Sequence, residues 1–216
     1  WDWGCYGTPD SGIVVFLAFL IGAVMGINGA AQLRQFGAAI YVADLVSVAV
    51  TREMGPLLTA VIVAGRSGSA ITAELGTMTV SEEIDAMRAM ALPPGRYLLV
   101  PRVLALVFGL PCLTLLADLA GISGGGVVAA AFLQISPQSY LDETAQALLR
   151  KDLISGLIKS AVYALLIGLT ACYYGLHVRG GSEGVGAATT RSVVTSIVLC
   201  IFANAVFTTF FYFTGG

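Results

Sequence analysis

The chain has 216 residues, 57% hydrophobic and 11% charged, with a mean hydropathy of +0.87, a balance that excludes a soluble globular domain and describes an integral membrane protein. A formal net charge of -2 without any basic run excludes the electrostatic footprint of a nucleic-acid binder. Cys5, Cys112, Cys172 and Cys200 are scattered with no CxxC spacing, so they read as small apolar residues and not as a metal site or a disulfide framework.

The chain opens with Trp1, with neither an initiator Met nor a signal-peptide pattern, and is expected to be trimmed at its N-terminus. A bilayer core takes about 20 apolar residues per helical span. Five windows qualify: 13–33, 45–75, 98–133, 153–176 and 192–213. The fold class is therefore an all-α integral membrane protein with five transmembrane helices, in a single membrane domain over 1–216 and without a visible internal repeat.

The first window contains a GxxxG, Gly22 and Gly26. In the second, Ala60, Ala64, Gly68, Thr72 and Gly76 recur every four residues. Each set forms a small-residue stripe on which another helix can approach closely in lipid, either inside a tight bundle or, more sharply, across a homodimer seam. The second window also holds the adjacent pair Arg52 and Glu53, about 100° apart on a helix, so the two need different partners. Lys159 in the fourth window is the natural partner of Glu53, and Asn204 in the fifth is a further buried polar group. Gly55 and Pro56 follow at once. Pro56 cannot donate to the Arg52 carbonyl, so a kink or local unwinding is expected beside the charged pair.

After the second window, Thr79-Val80-Ser81-Glu82 fits a capping box, and the polar insertion reads as an amphipathic helix over 79–92 stopped by Pro93-Pro94-Gly95. Its acidic start favours the groove of a soluble partner over an anionic lipid surface. The positive-inside rule places this insertion and the 177–191 connection in the cytoplasm, with the N-terminus inside and the C-terminus outside. In the third window, Gly109, Pro111, Asp118 and the Gly124-Gly125-Gly126 triplet predict a kinked, tilted or broken helix. The stretch "ISPQSYLDETAQALLRKD" then reads as an exposed loop with a short amphipathic helix.

No GxxxxGK[ST] is present, so ATP is not held here by a P-loop. Gly65-Arg66-Ser67-Gly68 matches the GxSG nucleophile motif of rhomboid-type intramembrane proteases, with His177 on the same expected side. A Ser-His dyad is thus one alternative function. A self-contained secondary transporter or channel built on Arg52, Glu53 and Lys159 is another.

The run "EMGPLLTAVIVAGRSGSAITAELGTMTVSEEIDAMRAMALPPGRYLLVPRVLA" carries R-E-x-G-P, A-G-R-x-G-S-A-x-T-A-E and E-x-x-x-M-x-x-M in order, continued more loosely by "GVGAATTRSVV". It resembles the signature of the MlaE/YrbE permease family, the membrane subunits of lipid ABC transporters that work with MCE-domain proteins and include the chloroplast TGD-type importers. The resemblance implies a non-catalytic homodimer in the bacterial inner membrane. Its partners would be an ATPase subunit that binds ATP and Mg, an MCE-domain protein, in many relatives a STAS-domain protein, and a lipid, most often phospholipid. It also implies a coupling helix, with Glu82, Glu83, Met87 and Arg88 as ATPase contacts. Arg52, Glu53, Lys159 and Asn204 would be polar membrane or gating positions, Gly55, Pro56, Ala64 and Gly68 hinge and packing positions, and Met25, Leu33 and Phe36 a lipid-lining set. The family's upstream interfacial helix is expected to be largely absent.

Overall fold

The computed structural model describes residues 4–35, 41–133 and 135–213. Its elements in chain order are α1 (Gly4–Gln35), α2 (Val42–Val80), α3 (Glu83–Ala89), α4 (Gly95–Leu133), α5 (Pro137–Ala147), α6 (Arg150–Leu176) and α7 (Gly181–Phe213). No strand occurs among the described residues. Five of these helices are long and apolar enough to cross a membrane, the five that the hydropathy windows predict. α2 and α4 have 39 residues each, more than a straight crossing uses. α2 contains two π-type turns, Val50–Met54 and Ala64–Gly68, and α4 begins with a third, Gly95–Leu99.

The chain folds as two compact units, Trp1–Thr59 with Pro111–Lys159 and Ala60–Leu110 with Ser160–Gly216. In the first, the glycines of α1 and α4 set the spacing. A side chain on Gly22 would fall onto the Gly121 carbonyl and one on Gly124 onto the Phe19 backbone, while Gly26 lies over Gly125 and Val128. Helices without side chains at the crossing can approach to backbone contact, the main source of cohesion where lipid cancels the hydrophobic drive. Val42, Val46 and Val50 of α2 bury against Ala30 of α1.

The third span is one continuous helix from Val100 to Leu133, not a broken one. Its glycine triplet serves as a cradle. Gly125 and Gly126 leave room for the Tyr140 ring of α5, whose hydroxyl donates to the Ile122 carbonyl at 3.1 Å. α5, the short helix that the sequence suggests, begins at a Ser136 cap that accepts the Ser139 N–H at 3.1 Å. It is more than an exposed helix, because Tyr140 and Thr144 are buried. Burial pushes the Tyr140 phenol up to about 12.

In the second unit, α2 packs against α6 and α7 through the small-residue stripe. Gly68 lies 3.1 Å, at its Cβ position, from Ile167, and Gly76 lies 2.9 Å from Val178 and 3.4 Å from Val185. Gly175 of α6 faces Leu75 in the same way, at 2.6 Å. The stripe is consumed within the chain, as is the Gly22 and Gly26 pair, so neither forms the homodimer seam that the sequence pattern allows.

Candidate functional site

The charged pair sits on the first π turn of α2, and the turn follows from the sequence beside it. Pro56 has no N–H to close an α-helical turn, and the Gly55 N–H reaches back five residues to the Val50 carbonyl. One residue is thereby inserted. The Arg52 carbonyl, which Pro56 cannot satisfy, accepts instead from Lys159 Nζ at 3.2 Å. The same ammonium donates to Glu53 Oε1 at 2.7 Å. Lys159 is 2% exposed and Glu53 half-buried, and the pair is the one that the sequence suggests.

Arg52 turns to a partner that the sequence reading leaves unnamed, Asp152 at the start of α6, 1% exposed. Asp152 is itself fixed, because its Oδ2 accepts the Leu149 N–H at 3.1 Å, the backward half of a capping box. Its signal in the sequence is its place seven residues before Lys159, two turns along one helix face with Gly156 between them. Gly156 completes the contact, since a Cβ there would meet the Thr51 carbonyl and would lie 3.5 Å from Pro56. Gly55 faces α4, where a side chain would fall onto the Asp118 carboxylate.

The remaining polar position, Asn204, belongs to the other unit. Its Oδ1 accepts from the Tyr163 hydroxyl at 2.7 Å, which makes it part of an α6–α7 contact. That unit is otherwise tied by hydroxyls. Thr72 Oγ1 bonds Ser192 at 2.9 Å and the Ala171 carbonyl at 3.2 Å, and Thr79 Oγ1 donates to the Gly175 carbonyl at 3.1 Å. Ala64 and Gly68 are buried on the second π turn. Near the α3 end, Arg102 pairs with Glu74 at 2.5 Å.

The insertion after α2 departs from the capping-box expectation. Thr79 does not start a helix: it lies in the last turn of α2, with its hydroxyl bonded back to the Leu75 carbonyl at 2.8 Å. The break falls at Ser81 and Glu82, where Glu82 adopts a left-handed conformation (φ 59) with no side-chain cap. α3 is therefore the seven residues Glu83–Ala89 and not 79–92. A hydroxyl inside a helix prefers the carbonyl four residues back, and that bond leaves no lone N-terminus for it to cap. α3 ends in a Schellman turn, with Ala91 at φ 58 and Leu92 N–H donating to the Met87 carbonyl at 3.0 Å. Glu82, Glu83 and Arg88 are exposed, Met87 is half-buried, and Ile84, 3% exposed, anchors the element. Arg88 is held by Asp85 at 2.9 Å.

Of the lipid-lining set, Met25 and Leu33 pack, partly buried, on the Ala30, Val42, Val46 and Val50 cluster. Phe36 lies outside the described residues. The Ser67 and His177 of the protease alternative are not brought together. Thr79 is level with Gly175, so His177 lies roughly 18 Å along the α2 axis from Ser67 at 1.5 Å per residue. His177 Nδ1 is also engaged with the Tyr173 carbonyl at 2.8 Å.

The family described as Permease MlaE matches residues 6–210. A probable ABC transporter permease protein of Rickettsia prowazekii is 39% identical over 200 residues, 93% of this chain and 77% of that one. A probable ABC transporter permease protein of Synechocystis is 38% identical over 209 residues, 97% and 79%. The chloroplastic protein trigalactosyldiacylglycerol 1 of Arabidopsis thaliana is 34% identical over 206 residues, 95% of this chain and 59% of its own. Five apolar helices, a charged π turn in the second, a short capped helix after it and these relatives lead to one assignment: the chain belongs to the MlaE family of ABC transporter permeases.

Proposed function

We propose that two copies of this chain form the lipid path of an ATP-driven transporter in the bacterial inner membrane, with phospholipid as the substrate class. ATP and Mg are held by a separate cytoplasmic ATPase. An MCE-domain protein continues the path on the other side, and a STAS-domain protein is a further partner. The chain itself does no covalent chemistry. Met25, Leu33 and Phe36 line the lipid path.

The observation that carries this reading is α3, exposed except for buried Ile84 and half-buried Met87, and bounded by the left-handed Glu82 and the Schellman turn at Ala91. A short rigid helix with a free charged surface, set between two spans of an ABC permease, suits docking into an ATPase groove. Glu82, Glu83, Met87 and Arg88 are the docking residues. Reversing Glu82, Glu83 and Arg88 together is expected to abolish co-purification with the ATPase while the melting temperature of the permease alone stays unchanged. Unaltered assembly would remove the docking helix from the reading. Mass spectrometry of lipids retained by the intact complex is expected to find phospholipid, whereas ion flux through the chain alone without ATP would favour a self-contained transporter.

A further inference from the structure

Asp118 is 6% exposed within α4, and its Oδ1 has no hydrogen-bond partner among the described residues. A carboxylate at that depth without a partner is among the costliest groups that a membrane helix carries. It occupies the notch left by Gly55, immediately beyond the π turn that bears Arg52 and Glu53.

The register of this contact gives Asp118 a role. The residues of α2 that meet α4 are Val46 at Gly125, Val50 at Gly121, Gly55 at Asp118 and Thr59 at Thr114. The steps along α2 are four, five and four, while those along α4 are four, three and four, so α4 is regular and the extra residue belongs to the π turn. A π turn is a single inserted residue in an α-helix, and rewinding it to α moves the inserted residue along the chain. With Gly55 held in place, Thr51 would then take the position of Val50, and Arg52 that of Thr51. Each residue turns by about 100°. Arg52 leaves Asp152 on α6 and swings toward the face that meets α4, where Asp118 stands without a partner.

We propose that Asp118 is a positioning residue of the transport cycle, the second acceptor for Arg52. Arg52 pairs with Asp152 while 50–54 is wound as π, and with Asp118 when that turn is wound as α. The exchange keeps the guanidinium paired in both states. It also releases Lys159 from the Arg52 carbonyl, so one rewinding resets both ion pairs. The proposal rests on the reading of the chain as an ATP-driven permease.

The test uses the complete permease–ATPase complex in lipid nanodiscs, with the native cysteines replaced. One cysteine pair is Val50→Cys with Gly121→Cys; the other is Thr51→Cys with Gly121→Cys, with Val50→Ala added to make room. The first pair is expected to crosslink without nucleotide and the second when ATP turnover is trapped with vanadate. Asp118→Asn is expected to keep the first crosslink, lose the second, lower lipid transport at least tenfold and leave the melting temperature unchanged or higher. Persistence of the first crosslink in both states of a transporting complex overturns the proposal alone, as does transport at the parental rate by Asp118→Asn. A lower melting temperature with unchanged crosslinks would make Asp118 merely structural. The two pairs are also read with Asp118 intact, so a variant that fails to fold does not decide the matter. A chain that assembles with no ATPase overturns the permease reading, and the proposal with it.

Discussion

Both units of the chain use glycines to bring helices together inside lipid, and they differ in the polar groups that meet at those contacts. In Trp1–Thr59 with Pro111–Lys159, buried Asp118, Asp152 and Lys159 and half-buried Arg52 and Glu53 gather around one π turn. In Ala60–Leu110 with Ser160–Gly216, the helices meet through glycines and through hydroxyls bonded to carbonyls, at Thr72 and Thr79, with Ser192 completing the contact. Close approach and hydroxyl bonds have one good arrangement. Each such hydrogen bond is worth on average about 0.6 kcal/mol in a membrane. Ion pairs reach farther and can change partners, and a buried carboxylate left over is the mark of a region with more than one arrangement. The charged unit is thus the one whose polar contacts can be exchanged, and the hydroxyl unit, which includes α3, the one whose contacts are short and local.

The strongest way to break this contrast is Lys159→Met. It removes the donor shared by Glu53 and the Arg52 carbonyl, so that each loses its bond to the buried ammonium. The expected cost is at least about 2 kcal/mol and below the roughly 3–5 kcal/mol for stripping one partner from a fully buried pair, because Glu53 is 30% exposed. Thermal unfolding in detergent measures it. Adding Glu53→Gln is expected to return much of the loss, because the remaining charge is then gone. If Lys159→Met alone costs no more than an average surface change, the charged unit is held by packing, and the contrast fails.

A gentler probe goes to the other unit. Thr72→Val keeps the shape and removes the hydroxyl bonded to Ser192 and the Ala171 carbonyl. The expected loss is about 0.6 to 1.7 kcal/mol, from the average to the largest value for interhelical hydrogen bonds in membranes. Unfolding of this variant beside Lys159→Met gives the ratio directly. A loss as large as that of Lys159→Met would mean that both units depend equally on polar contacts.

How much of this was legible in the sequence depends on the range of the interaction. The five spans could be read because hydropathy is local and the bilayer fixes the length. The Glu53 and Lys159 pair could be read because few charges lie within apolar windows, so the choice of partners was short. Asp152 was hidden because it follows Arg150 and Lys151 at a span's edge, where a carboxylate looks solvated; only its two-turn spacing from Lys159 marks it. The capping box at Thr79 failed for the opposite reason. Its pattern was present, but α2 runs past it, and a helix already in progress decides what a threonine bonds. The π turn was half visible: Pro56 predicts a lost hydrogen bond, but not that a lysine 103 positions away supplies the missing donor. The stripes of small residues showed that a close contact exists, and nothing in a stripe says whether the other helix belongs to the same chain.

The smallest effect tests how stiffly the hydroxyl unit ends. Ala91 holds a left-handed conformation at the end of α3, where its N–H bonds the Arg88 carbonyl at 3.0 Å and Leu92 closes on Met87. Glycine takes that conformation freely, whereas alanine pays a steric penalty for it. Ala91→Gly relieves about 1–2 kcal/mol of strain and returns part of it through the looser unfolded chain, for a net gain of about 0.5 to 1 kcal/mol. Amide exchange at Leu92 is then expected to slow by roughly two- to fivefold, since each 1.4 kcal/mol is tenfold. Transport is expected to be unchanged if α3 already behaves as a rigid foot. If transport rises with the tighter turn, compliance at 89–92 limits the docking proposed for α3, and the stiffness of the hydroxyl unit matters at that turn as much as in the membrane.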